Sequence, residues 1–123
     1  MTMPHERMRA LRWGYELLQE MTQDQSLPED VRERAGALLA AYPMPEALAQ
    51  HVADGRGRLP KTWGDTMAEV RDLFEWVELG GQGSVQTRRS LLFTRRHYPN
   101  RSEIRLLVTV DLIGHLLAGE DSY

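Results

Sequence analysis

Met8, Leu11, Tyr15 and Leu18 recur at intervals of three and four residues, and Met67, Val70, Phe74 and Val77 repeat that spacing 59 residues later. A helix turns once in about 3.6 residues, so each run gathers its apolar side chains into a stripe that must be covered by another element. Leu17 and Met21 widen the first stripe, and the spacing predicts a helix over 5–22. Ser26 and Glu29 have the separation of a capping box, with Pro28 in the first turn, so a second helix is expected from there. Val31, Ala35, Leu38, Leu39 and Tyr42 give it one buried face, and Pro43 ends it by disfavouring helical geometry at Tyr42. Pro45 and Glu46 open a short helix through Leu48 and Val52, which Gly55 closes.

Residues 55–61 combine two glycines, a proline and charged side chains, the make-up of a connector. It divides one domain, 1–123, into segments 1–54 and 62–119. Thr62 and Asp65 are placed to cap the helix that carries the second stripe, and the glycines at 80, 81 and 83 mark its end.

Two readings compete beyond that loop. Ile104, Leu106, Val108 and Val110 alternate as in a strand, and a hairpin near 89–111 would give an α+β fold. Asn100 and Glu103 instead form a capping box, and Leu106, Val110, Ile113 and Leu117 follow helical spacing to Gly119, which favours a helix over 102–118. The expected architecture is all-α, about six helices in two three-helix segments. An internal repeat would account for the paired stripes. Arg12 and Glu16 recur as Arg71 and Glu75 at the offset of 59, Ser26-Leu27 as Ser84-Val85 at 58, and Tyr42-Pro43 as Tyr98-Pro99 at 56. In that alignment Leu38-Leu39 match Leu91-Leu92 only if three residues are inserted before the second Tyr-Pro.

Thr2, Pro4, Glu6-Arg7, Arg9-Ala10, Leu17-Leu18, Leu27-Pro28, Val31-Arg32, Ala35, Leu38-Leu39 and Tyr42-Pro43 carry a likeness over residues 1–43. In these the chain resembles a family of short uncharacterised proteobacterial proteins that open with a Thr, Pro, Glu-Arg pattern and run on to Leu-Leu-Arg-His-Tyr-Pro. Ala40-Ala41 stand where that family has Arg-His, whereas Arg96-His97-Tyr98-Pro99 presents the tetrapeptide later in the chain. The resemblance implies a small helical protein of the bacterial cytosol and brings no functional residues with it.

With no cysteine there is no disulfide framework, and no apolar run reaches the roughly 20 residues of a membrane span. The N-terminus lacks the apolar stretch of a signal peptide, so a cytoplasmic protein is expected. Neither a Gly-x-Ser-x-Gly elbow nor a His-Glu-x-x-His helix occurs, and the loop at 80–84 lacks the Gly-Lys-Ser/Thr ending that cradles phosphate. His5, His51, His97 and His115 have no paired spacing, so no catalytic residue, metal ligand or cofactor site is assigned. Asp65, Glu69, Asp72 and Glu75 share one helical face, which reads as a solvated surface opposite the apolar stripe.

The charge distribution is less ordinary. Residues 1–55 carry five arginines against nine carboxylates, and residues 85–105 carry six arginines against Glu103 alone. Arg88, Arg89, Arg95, Arg96, Arg101 and Arg105 therefore form a candidate surface for a partner or for phosphates, and Trp63 beside the connector is a candidate interface aromatic. The expected function is a non-enzymatic binding or regulatory protein acting through protein contacts, as a homodimer or as a small inhibitor of a larger machine. The alternative is a nucleic-acid-binding accessory protein using the arginine-rich surface. Under the first reading the arginines pair with Asp65, Glu69, Asp72 and Glu75. If the stripes are assigned to the right faces, Leu38→Ala and Leu107→Ala should each cost about 2–5 kcal/mol in chemical denaturation, and a loss below about half a kcal/mol at both would place them wrongly.

Overall fold

The computed structural model describes residues 4–54 and 58–109, with side chains from Arg9 onward. Its elements are α1 (Pro4–Gln23), α2 (Glu29–Ala41), α3 (Pro45–Ala53), α4 (Lys61–Gly80), α5 (Val85–His97) and α6 (Arg101–Thr109). The fold is all-α, and the hairpin at 89–111 gives way to α5 and α6, joined at Tyr98-Pro99-Asn100. Asn100 and Glu103 cap α6 reciprocally: each backbone N–H donates to the other's side chain at 2.8 Å. The part of the expected 102–118 helix beyond Thr109 lies outside the described residues, as does the Met8 side chain.

Two expected caps are not made. Asp24 takes the Ser26 amide at 2.9 Å, so Pro28 stands at the start of α2 with no side-chain cap. Pro60 likewise precedes α4, which begins at Lys61 without a cap from Thr62. A cap not foreseen is Ser84, whose hydroxyl accepts the Thr87 N–H at 3.1 Å.

α4 to α6 follow the order of α1 to α3, and α2 and α5, in the same place in each half, both have 13 residues. Burial aligns the halves at an offset of 56 without gaps. Ala10, Leu11, Gly14, Leu17, Leu18 and Met21 map onto Thr66, Met67, Val70, Leu73, Phe74 and Val77, all buried. Val31, Ala35, Leu38 and Tyr42 map onto Thr87, Leu91, Thr94 and Tyr98, and Leu48 onto Ile104, again all buried. The offsets of 59 and 58 read from residue identity are thereby corrected. The insertion before the second Tyr-Pro is also unnecessary: Leu38 answers to Thr94 and Ala35 to Leu91, so large and small residues exchange places.

The two segments interlock instead of forming separate bundles. α1 packs on α2 and α5, while α4 packs on α5, α2 and α6. Each long helix is thus clasped by the second helix of both halves. Tyr42 and Tyr98, which are counterparts, meet with their hydroxyls 2.9 Å apart in the core. Counterparts thus meet at the junction of the two halves. The Tyr42 hydroxyl donates to the Leu11 carbonyl at 2.7 Å, which leaves Tyr98 as the donor to Tyr42. Burial raises both phenol pKa values, so both hydroxyls keep their protons, although Arg71 opposes the shift at Tyr98. Gly14 admits the rings: a Cβ there would lie 2.7 Å from Tyr98 Cε1 and 2.9 Å from the Tyr42 hydroxyl.

One core runs through both halves, with Leu11, Leu18, Met21, Leu48, Met67, Phe74, Leu91 and Leu107 among its fully buried members. Leu38 and Leu107 both belong to it. The Leu59 N–H donates to the Leu107 carbonyl at 2.8 Å, tying the end of the connector to α6.

The loops after α1 and α4 are stapled by Asp24, which accepts the amides of Ser26 and Ser84, each at 2.9 Å. Gly83, at φ +100°, brings its loop against Asp24 and Leu27 in a conformation that suits glycine. Desolvation pulls the Asp24 pKa upward, but the Ser84 amide, the Thr87 hydroxyl and the Ser26 amide outweigh it and lower the value from 3.8 to about 2.

Two measurements check these ties. Tyr42→Phe removes the donor to Leu11 and the acceptor for Tyr98 together, so it should cost about 1–3 kcal/mol, whereas Tyr98→Phe loses one bond and should cost about 0.5–1.5 kcal/mol. Equal losses would deny Tyr42 its central place. A carboxylate with a lowered pKa contributes stability that is complete above its unfolded value and fades as pH falls through the folded one. The stability advantage of wild type over Asp24→Asn at pH 6 should accordingly shrink between about pH 4 and pH 2; a pH-independent difference would remove the charge from the staple.

Candidate interaction surface on the second half

α5 carries four arginines and no carboxylate. Its buried residues are Thr87, Leu91 and Thr94, which turns Val85, Arg89, Leu92 and Arg96 toward solvent along the opposite crest. Their spacing of four, three and four keeps them within about 60° of one another around the helix. Arg88 and Arg95 flank the crest toward α4. The positions of Arg95, Arg96 and His97 in the last turn suit the helix dipole.

The arginines divide into two groups. Arg95 lies on α4, with Nε 2.7 Å from Glu78 and Nη1 3.8 Å from Glu75. Arg101 pairs with Asp72. Arg71 supports the same junction, pairing with Glu75 at 3.6 Å and donating to the carbonyls of Tyr98 and Pro99. Arg88, Arg89, Arg96 and Arg105 are exposed and have no ion pair among the described residues. The expected neutralisation by α4 is therefore met for Arg95 and Arg101 and corrected for Arg88, Arg89, Arg96 and Arg105. Within the set named for pairing, Glu75 holds Arg95 and Asp72 holds Arg101, whereas Asp65 takes Lys61 and Glu69 takes Arg34.

Trp63 is half-buried against the core, with its ring centroid 5.4 Å from that of His51, whose Nε2 lies 2.7 Å from the Arg58 carbonyl. It joins α3, the connector and α4, a structural task that leaves little of it free. Trp13 is also half-buried, tilted against Phe93 at 4.8 Å and His97 at 6.0 Å between α1 and α5. The tryptophan offered to solvent is Trp76, at 67% exposure, beside Leu79 at 87%.

Trp76, Leu79, Gly80 and Gln82 line a hollow at the end of α4. Its counterpart at the end of α1 is lined by Glu20, Gln23 and Asp24 together with Ser84, Gln86 and Thr87. At the 56-residue offset Glu20 answers to Trp76 and Gln23 to Leu79. The same exchange occurs on α5, where Val85 and Leu92 stand opposite Glu29 and Gly36 of α2. Val85 and Leu92 are 58% and 59% exposed. At these four positions the halves thus differ, polar or small on the first and apolar on the second. Sequence reasoning missed Trp76, Leu79, Val85 and Leu92 because it aligned these stretches two or three residues out of register; at 56 the contrast is readable from the sequence.

Among the described residues no group of three or more His, Asp or Glu side chains is placed to hold a metal ion, and no helix is long and apolar enough to cross a membrane. No family model, no curated protein and no solved structure matches the chain.

Proposed function

We propose that this is a small non-enzymatic binding or regulatory protein of the bacterial cytoplasm that works through protein contacts, as an inhibitor or adaptor of a larger assembly. The observation that carries the reading is the contrast between the halves. The equivalent positions on α1 are Glu20 and Gln23, so a long helix in this place does not by itself require Trp76 and Leu79. Large apolar side chains that the fold does not use favour a surface that a partner covers, and tryptophan is prominent among residues that anchor such contacts. The second reading is nucleic-acid binding, which the unpaired Arg88, Arg89, Arg96 and Arg105 favour.

The experiment exchanges the surface of one half for that of the other. Trp76→Glu with Leu79→Gln should change stability by no more than about 0.5 kcal/mol, as for other exposed positions, while abolishing capture of proteins that immobilised wild type retains from its source cell. Undiminished capture would remove this hollow from the function. Wild type should bind neither DNA nor RNA at physiological salt. Nanomolar binding lost on changing Arg88, Arg89, Arg95 and Arg96 to Gln would make nucleic acid the partner.

A further inference from the structure

We propose that the α5 crest is the receptor for one class of partner, an acidic amphipathic helix lying along Val85, Arg89, Leu92 and Arg96. This rests on the protein-binding reading and adds the chemistry of the partner. The spacing of the four residues is that of a coiled-coil seam, with the apolar residues on one set of seam positions and arginines on the other. All four are exposed, and Arg89 and Arg96, with Arg88 beside them, have no ion pair among the described residues. A partner that fits must put apolar side chains over Val85 and Leu92 and carboxylates over the guanidinium groups, where charge-assisted bonds form in bidentate geometry. α5 has no carboxylate of its own to compete for them.

Charge selects among the occupants. A second copy docked α5 to α5 through a two-fold contact would gather the unpaired arginines of both chains along one seam, without a carboxylate from either α5 to separate them. Nucleic acid would engage the arginines but leave Val85 and Leu92 against a phosphate backbone. Phe93 is 53% exposed but leans against Trp13 on the α1 side of the helix, with ring centroids 4.8 Å apart, so it stands beside the crest and not on it. An acidic amphipathic helix uses both the apolar and the cationic members of the row.

The test uses the full chain and labelled synthetic helices of about 20 residues, long enough to hold helical structure. One carries a leucine stripe with glutamate at the intervening seam positions, and its control replaces each glutamate by lysine. The expected result by fluorescence anisotropy at physiological salt is binding of the glutamate helix and none of the lysine helix. Affinity should fall about tenfold or more in the Arg88→Gln, Arg89→Gln, Arg96→Gln variant, and likewise in Leu92→Ser, with thermal unfolding unchanged. Arg89→Gln alone serves if the triple variant does not fold.

No binding of the glutamate helix, undiminished binding by the arginine variants, or equal binding of the lysine helix overturns the proposal. So does a duplex or single-stranded oligonucleotide bound at physiological salt and lost in the triple variant, which would give the crest to nucleic acid. A concentration-dependent dimer that dissociates in Leu92→Ser would give it to a second copy. If the helix fails while Trp76→Glu with Leu79→Gln still abolishes capture from the cell, the protein-binding reading stands and this assignment alone falls.

Discussion

Two tyrosine hydroxyls 2.9 Å apart, buried where the two halves of the chain meet, set the terms for most of the fold. A phenol removed from water needs partners for its oxygen and its proton, and each ring finds them only when α1, α2 and α5 come together at this point. Gly14 on α1 gives the rings their space. Pro43 and Pro99, next in sequence, end α2 and α5 where the tyrosines turn inward. Phe74 then packs edge-on against Tyr98, at 5.7 Å between centroids, as Tyr15 packs against Tyr42 at 6.1 Å. The interlocking of the halves, with α1 on α5 and α4 on α2, places the pair at the centre of one core and not at a boundary between two.

A shared scaffold makes the surface easier to interpret. Where corresponding positions are buried, the halves agree in being buried while differing in size, as with Ala35 and Leu91 or Leu38 and Thr94. Packing requires volume to be conserved across the whole core, and it is indifferent to which half supplies it. At exposed positions no such compensation operates. Trp76, Leu79, Val85 and Leu92 therefore stand out against Glu20, Gln23, Glu29 and Gly36, since nothing in the fold asks for them.

Much of the architecture was legible because helical periodicity is a local signal. The buried residues of α2 were named from spacing, and the Asn100–Glu103 cap was found because both partners announce it. Ser26 misled because its own amide is held by Asp24, which starts a turn there and leaves Pro28 to begin the helix. The repeat was visible at the right offset only in Tyr42-Pro43 and Tyr98-Pro99; in the long helices likeness pairs Leu11 with Val70, whereas burial pairs Gly14 with Val70 and Leu11 with Met67. The site was less legible. Trp76 falls two residues beyond Phe74, off the apolar stripe, and that displacement was a usable sign of exposure. Which arginines remain unpaired could not be read, because Arg95 meets Glu78 through the packing of α4 on α5, and Glu78 lies outside the run of acids that the spacing singled out.

The tyrosine pair also gives the junction of the two halves a direction. On a strict two-fold axis two hydroxyls would have to be equivalent, yet they cannot both donate along the single line that joins them. Here the protons run one way, from Tyr98 to Tyr42 and on to the Leu11 carbonyl. The position that answers to Leu11 is Met67, and Val70 occupies the place that Gly14 leaves open on the other side. Identical halves would leave that choice to chance, each molecule settling into one of two equal arrangements. Glycine in one half and valine in the other resolve the tie, so the centre of the protein is single-valued before any partner reaches its surface.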